Sequence, residues 1–224
     1  MPDLSLTHET IPARAGSPPY PGLILLHGLG SNERDLLQIS PGLDPRPYAV
    51  SARGPLKHRW GGYAWYDLDQ HGPGLGSKSI ESALALLRKF LDEVVDAYSI
   101  DPRRLYVGGF SMGAAMAGAL ALLEPERVAG AIMISGYLPP DSDNRYRGHE
   151  AVGHPFFQAH GTLDEVVPIV YAHQTRDYLQ TTAVDLTYRE YPIAHTVSFE
   201  ELLDLAAWFN GVLNAGEPQR EAAS

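Results

Sequence analysis

Short apolar runs bounded by turn residues constrain the fold of this chain more than any other feature. Residues 22–26 and 128–134 are almost continuously apolar, and 104–110 forms a third run of this kind. Such runs are typical of strands that are buried on both faces of a sheet. Weaker strands are predicted at 48–51, 155–160 and 184–191, and an alternating edge strand at 4–11. The sequence therefore predicts about seven strands.

Helical patterns separate these strands. Between 79 and 98, apolar residues recur at three- and four-residue steps, at Leu84, Leu87, Leu91 and Val95. Further helices are predicted at 112–123, 171–179 and 199–213, the last with a capping box formed by Ser198 and Glu201. Alternating strands and helices predict an α/β fold, with a mostly parallel central sheet and helices on both of its faces. Ligands of such sheets bind at the carboxyl ends of the strands.

The chain is predicted to form one domain. Its 224 residues show neither an internal repeat nor a linker, so we expect a single domain over 1–214 and a flexible C-terminal tail over 215–224. Two longer irregular stretches, 54–77 and 136–153, each follow a predicted strand. Neither stretch is long enough for a separate cap domain.

Charge and composition exclude several classes of protein. A net charge of −10 argues against a nucleic-acid partner, and the basic residues at 53 and 57–59 are interpreted as a solvated loop. The longest run of apolar and small residues, 114–123, is too short to span a membrane, and the N-terminus does not resemble a signal peptide. Without cysteine there is no disulfide, thiolate zinc site or cysteine nucleophile. We expect a cytoplasmic protein.

The sequence GFSMG at 109–113 places Ser111 between two glycines, where a predicted strand meets a predicted helix. A strand that turns sharply into a helix crowds the residues two before and two after the turn, so glycine is needed at both places. This is the context of the Gly-x-Ser-x-Gly nucleophile elbow, which holds a serine out on a strained bend. A serine that only caps the helix is the alternative interpretation.

The residues after Ser111 supply the two partners that a nucleophilic serine needs. An imidazole must remove the hydroxyl proton, and a carboxylate must orient that imidazole. Asp164 follows the strand predicted at 155–160, and His195 follows the strand predicted at 184–191. The order serine, acid, histidine is the order expected of this elbow, with Glu165 as the alternative acid.

A tetrahedral oxyanion needs preformed N–H donors, of which one is the amide after the nucleophile and the other lies in a loop after an early strand. Met112 supplies the first. The loop HGLGSN at 27–32 supplies the second, which we assign to Leu29 with Gly28 as the alternative.

These motifs together resemble the phospholipase/carboxylesterase family of α/β-hydrolases, which includes bacterial carboxylesterases and acyl-protein thioesterases. The resemblance spans nearly the whole chain and is carried by HGLGSNERDL at 27–36, GFSMG at 109–113, HGTLDEVVP at 160–168 and AHTVSFEEL at 194–202. It implies the α/β-hydrolase fold and makes Ser111, Asp164 and His195 the catalytic triad.

The same resemblance implies that Leu29 and Met112 are the oxyanion donors and that Trp65 and Tyr66 lie near the acyl site, although packing of a long loop explains these aromatic residues equally well. The thioesterase branch usually carries Gln after the nucleophile, whereas this chain has Met112, which favours a carboxylesterase.

The leading hypothesis is a serine hydrolase that cleaves short to medium acyl esters through an acyl-enzyme. An acyl-thioesterase or a lysophospholipase would use the same residues, and a non-catalytic binding module would be expected to have lost one of them. Neither a metal site nor a dinucleotide fingerprint is found, so we expect no cofactor. The expected partner is a small-molecule ester, and a homodimer is left open.

Overall fold

The computed structural model describes residues 2–68, 74–75 and 77–216. Its strands are β1 (His8–Ile11), β2 (Tyr20–Leu26), β3 (Tyr48–Ala52), β4 (Leu56–Lys57), β5 (Tyr63–Ala64), β6 (Ile100–Phe110), β7 (Gly130–Ile134), β8 (Pro155–Gly161) and β9 (Asp185–Tyr191). Its α-helices are α1 (Ser40–Leu43), α2 (Lys78–Tyr98), α3 (Met112–Leu123), α4 (Ile169–Leu179) and α5 (Phe199–Ala215). A 3₁₀ turn, Leu36–Ile39, precedes α1.

Seven of these strands form one sheet, in the order β1-β3-β2-β6-β7-β8-β9. All neighbours pair in parallel except β1, which runs antiparallel to β3 at the edge of the sheet. The predicted fold class is confirmed. The edge strand begins at His8 rather than at residue 4, because the chain before it turns towards α2, where the Ser5 amide donates to Glu93 Oε2 at 2.7 Å.

Alternate residues of β2 show how the sheet is covered on both faces. Leu23 and Leu25 join an apolar cluster with residues of α5, whereas Ile24 and Leu26 join a larger cluster with residues of α2 and α3. Successive side chains of a strand point to opposite faces, so a continuously apolar strand needs helices on both.

The stretch 54–77 contains a small hairpin that the sequence did not predict. Strands β4 and β5 pair antiparallel, and their turn packs on the loop after β2. A Cβ at Gly62 would lie 1.9 Å from the carbonyl oxygen of Gly30, so only glycine permits this contact. Within the described ranges, neither this stretch nor 136–153 forms a separate cap domain.

Two remaining sequence predictions concern membranes and the tail. Among the helices described, none is both long and apolar enough to cross a bilayer. Helix α5 continues to Ala215, and residues 217–224, most of the predicted tail, lie outside the described residues.

Candidate active site

Ser111 occupies the single residue between the end of β6 and the start of α3. Its backbone angles, φ 54° and ψ −117°, are strained for a residue with a side chain. A Cβ added at Gly109 would lie 2.3 Å from the carbonyl carbon of Gly113, and one added at Gly113 would lie 1.9 Å from the carbonyl oxygen of Leu26. The two glycines are therefore required for this bend.

Asp164 and His195, which follow β8 and β9, are brought into direct contact. The His195 Nδ1 lies 2.7 Å from Asp164 Oδ2, so this nitrogen donates to the carboxylate and Nε2 is left for other partners. The other carboxylate oxygen, Oδ1, accepts from the amides of Val166 and Val167 at 2.9 and 2.8 Å. Asp164 is buried, whereas the alternative acid, Glu165, is exposed.

Ser111 and His195 line the same cavity, which has a volume of about 410 Å³. The ring of Phe110 packs against His195 with centroids 4.8 Å apart. Five of the seven predicted site residues line this cavity; the exceptions are Asp164, which lies behind His195, and Trp65. The wall is formed by Gly28, Leu29, Tyr66, Leu68, Phe110, Ser111, Met112, Ala115, Tyr137, Val166, Val167, Pro168, Tyr171 and His195.

The loop after β2 brings Leu29 to this cavity. The amides of the two residues after Leu29 already have hydrogen-bond acceptors. Gly30 donates to the Tyr63 carbonyl at 2.8 Å, and Ser31 donates to the Gly28 carbonyl at 3.2 Å. Within the described chain, the Leu29 amide donates to no protein acceptor. The Met112 amide belongs to the first turn of α3, where an N–H has no partner inside the helix. Both residues line the cavity that contains Ser111.

A family model described as phospholipase/carboxylesterase matches residues 8–212. The chain belongs to the phospholipase/carboxylesterase family. It is a hydrolase of the carboxylesterase type and has the α/β-hydrolase fold.

Curated relatives agree with this membership, and solved structures agree with the fold. Acyl-protein thioesterase 1 of Candida albicans is 27% identical over 94% of this chain and 99% of its own length. The crystal structure of a carboxylesterase from Mesorhizobium loti superimposes with a TM-score of 0.82 at 21% identity, covering 94% of this chain and 97% of that one. The crystal structure of esterase PE8 gives 0.78 at 26% identity, covering 92% and 99%.

His27 holds the loop after β2 in place in this phospholipase/carboxylesterase family member, a role that the sequence analysis did not predict. The buried ring donates from Nδ1 to the Gly28 carbonyl at 2.7 Å and accepts at Nε2 from the Gly54 amide at 2.9 Å. Burial lowers the pKa of His27, which keeps the ring neutral and able to do both. In the sequence, the feature that could have indicated this role is the position of His27 directly before a glycine-containing loop that follows β2.

A second buried histidine, His160, also lies behind the site. Its Nε2 donates to the Val167 carbonyl at 2.7 Å and lies 3.4 Å from Asp164 Oδ2. Burial lowers the pKa of His160, so a neutral ring adds no positive charge beside Asp164. It thus helps to hold the segment 164–167 that presents the carboxylate.

The structure separates the two aromatic residues assigned to the acyl site. Tyr66 lines the cavity, but Trp65 does not, which corrects its assignment to the wall. Trp65 is buried behind the loop after β2, and its indole N–H donates to the His27 carbonyl at 2.9 Å. Trp65 therefore supports the loop rather than contacting the cavity.

Within the described ranges, no group of three or more His, Asp and Glu side chains is arranged to hold a metal ion.

Proposed function

We propose that this protein hydrolyses carboxylic esters of short to medium acyl chains, with Ser111 as nucleophile, His195 as general base and acid, and Asp164 as the group that orients His195. The 2.7 Å contact between His195 Nδ1 and Asp164 Oδ2, beside a cavity that also contains Ser111, carries this proposal. It leaves Nε2 of a correctly oriented imidazole to accept the serine proton.

In the first half-reaction, Ser111 Oγ forms a bond to the ester carbonyl carbon while its proton moves to His195 Nε2. The amides of Leu29 and Met112 donate to the oxyanion of the tetrahedral intermediate. The carbon–oxygen bond to the alcohol then breaks, and the proton on His195 passes to the departing alkoxide. The products are a free alcohol and an acyl ester on Ser111.

In the second half-reaction, water attacks the acyl carbon and gives a proton to His195. The bond to Ser111 Oγ breaks, and the serine recovers its proton from His195. The carboxylic acid leaves, and the enzyme returns to its starting state. No redox step and no further reactant are needed.

A thioester is the second candidate substrate, because the Candida albicans relative is named an acyl-protein thioesterase. The same residues would act on a lysophospholipid ester, and the family description includes phospholipase. Met112 stands where the thioesterase branch usually carries Gln, which favours oxygen esters. A non-catalytic binding module is disfavoured because the nucleophile, base and acid are all retained.

Rapid-mixing kinetics with p-nitrophenyl butyrate test the proposal. We expect a burst of p-nitrophenol close to one equivalent if deacylation is the slower step, or steady turnover without one if it is faster. In either case Ser111→Ala should lower kcat by several orders of magnitude. Ser142→Ala, at an exposed serine in the stretch 136–153, is the matched control.

Turnover by Ser111→Ala at the wild-type rate would contradict the proposal. A higher kcat/KM for S-butyryl thioesters than for the matched oxygen ester would indicate that the protein is a thioesterase.

A further inference from the structure

Two tyrosine rings form part of the wall of the cavity that contains Ser111. Tyr137 and Tyr171 both line this cavity, and their ring centroids lie 5.3 Å apart with an angle of 34° between the ring planes. Tyr171 is 44% exposed, and Tyr137 is half-buried. Both rings therefore have surface that a bound molecule can cover. The proposed hydrolysis steps give neither ring a role.

Contacts between the loop after β7 and helix α4 hold the two rings together. The amide of Leu138, the residue after Tyr137, donates to Thr175 Oγ1 at 2.9 Å, and Thr175 is buried. Thr175 follows Tyr171 by four residues in α4, so the two side chains share one face of that helix. The tyrosine pair is thus positioned by the protein itself, as a specific binding surface requires.

The order of the strands places the tyrosine pair on the same side of Ser111 as His195. Ser111 follows β6, and the loop after β2, which carries Leu29, lies on one side of that strand. Strands β7, β8 and β9 lie on its other side, and they lead to Tyr137, Tyr171 and His195 respectively. Leu29 and the tyrosine pair therefore approach Ser111 from opposite sides.

The segment that presents the proposed acid also contributes to this part of the wall. Asp164 contacts His195 and accepts from the amides of Val166 and Val167. Helix α4 begins directly after this segment, and Tyr171 lies in its first turn. Val166, Val167 and Tyr171 all line the cavity, so this side combines apolar and aromatic surface beside the proposed base.

This placement decides which half of an ester would meet the tyrosines. In the tetrahedral intermediate, the oxyanion faces the N–H donors, one of which is assigned to Leu29. The departing oxygen faces His195, which protonates it. The group attached to the departing oxygen is the alcohol half of the ester. It therefore extends on the side of Ser111 where Tyr137 and Tyr171 lie.

We propose that Tyr137 and Tyr171 bind an aromatic ring in the alcohol half of the substrate, so that the preferred substrates are esters of aryl or arylmethyl alcohols. This rests on the proposed ester hydrolysis. Aromatic rings attract one another in offset or edge-to-face arrangements, beyond the effect of the area they bury. A saturated ring of similar size would bury a similar area without that attraction, so the difference between the two rings measures the site.

The test compares benzyl acetate with cyclohexylmethyl acetate, and each kcat/KM is divided by the alkaline hydrolysis rate of the same ester to remove intrinsic reactivity. We expect this relative kcat/KM to be about three- to tenfold higher for the benzyl ester in wild type. Tyr171→Leu should largely abolish the preference, whereas Tyr171→Phe, which keeps the ring, should retain it. Tyr178→Leu, at an exposed tyrosine of the same helix that is not part of the described wall, is the control and should leave the preference unchanged.

A second pair of esters, methyl phenylacetate and methyl cyclohexylacetate, carries the ring in the acyl half. We expect Tyr171→Leu to leave the ratio of relative kcat/KM within this pair unchanged. A preference for the phenylacetate that is lost in Tyr171→Leu, together with equal relative kcat/KM for the two acetates, would overturn the assignment to the alcohol half.

Binding without turnover separates this proposal from the one on which it rests. Calorimetric titration of Ser111→Ala should show tighter binding of benzyl acetate than of cyclohexylmethyl acetate, and adding Tyr171→Leu should remove the difference. If wild type hydrolyses neither ester but this difference persists, the hydrolysis proposal fails and the aromatic site stands. Equal binding together with equal relative kcat/KM, or an aromatic preference that survives when Tyr137→Leu and Tyr171→Leu are combined, would overturn the aromatic site.

Discussion

Asp164 uses both carboxylate oxygens, one towards His195 and one towards the amides of Val166 and Val167. The neighbouring Glu165 is exposed. An amide at position 164 keeps the size of the side chain but removes the charge that stabilises an imidazolium and presents a donor in place of an acceptor.

We predict that Asp164→Asn lowers kcat by about 10³- to 10⁴-fold, whereas Glu165→Gln changes it by less than about threefold. Steady-state kinetics with p-nitrophenyl butyrate, alongside circular dichroism to establish folding, measure both. The opposite ranking would assign the acid to Glu165.

At the scale of single residues, the three candidate triad residues could be predicted from the sequence, because their residue types and their order along the chain match those of a serine nucleophile, an acid and a base. Ser111, Asp164 and His195 each follow a strand, so parallel pairing is enough to bring them to one edge of the sheet. The roles of His27, His160 and Trp65 depend on which carbonyls and amides lie nearby after folding. No spacing in the sequence encodes those contacts.

At the scale of elements, helix α5 begins with the predicted capping box, directly after the His195 loop, and Glu201 of this box is buried. Ser198 Oγ accepts from the Glu201 amide at 3.1 Å, and the Ser198 amide donates back to Glu201 Oε2 at 3.4 Å. Glu201 is only 1% exposed, and its other oxygen has no partner among the described residues. Burial raises the pKa of Glu201 to about 7.

This pKa predicts a specific dependence of stability on pH. An unfolded Glu releases its proton near pH 4.5, whereas folded Glu201 holds it to about 7, so the folded state binds more protons between these values. The contribution to the free energy of unfolding is fully present below pH 4.5 and is lost as pH rises through 7. Lost stability should be on the order of 1–3 kcal/mol.

Glu201→Gln keeps a capping-box side chain without a titrating group, so it should remove this fall in stability. The measurement is urea unfolding of both proteins from pH 4.5 to 8. Only the difference between them is diagnostic, because the lowered pKa values of His27 and His160 act in the opposite direction. Parallel curves for wild type and variant would contradict the prediction.

Among the elements themselves, the long apolar strands and amphipathic helices were predictable because burial fixes their residue patterns. The β4–β5 hairpin has only two residues in each strand, too few for a periodic signal. Its place is set by the close approach of Gly62 to Gly30, a contact between distant parts of the chain.

At the scale of the whole molecule, the cavity beside Ser111 is about 410 Å³ and no cap domain covers it within the described ranges. A long acyl chain would extend into solvent and gain little burial there, so we predict a higher kcat/KM for p-nitrophenyl butyrate than for the palmitate. Rates should show no jump above the critical micelle concentration. A jump in the hydrolysis rate on emulsified palmitate ester would indicate a lipase. Exposed apolar residues at the mouth of the cavity, such as Val166, would then be expected to contact lipid.

The central claim, that Ser111 is a nucleophile activated by His195 and Asp164, is tested most directly by labelling with a fluorophosphonate, followed by intact-mass measurement and peptide mapping. We predict one phosphonyl group per chain, on Ser111, with no label in Ser111→Ala and much slower labelling in His195→Gln. Loss of ester hydrolysis should follow the extent of labelling. An active protein that takes up no label at Ser111, or that is labelled and inhibited at another serine, would contradict the account.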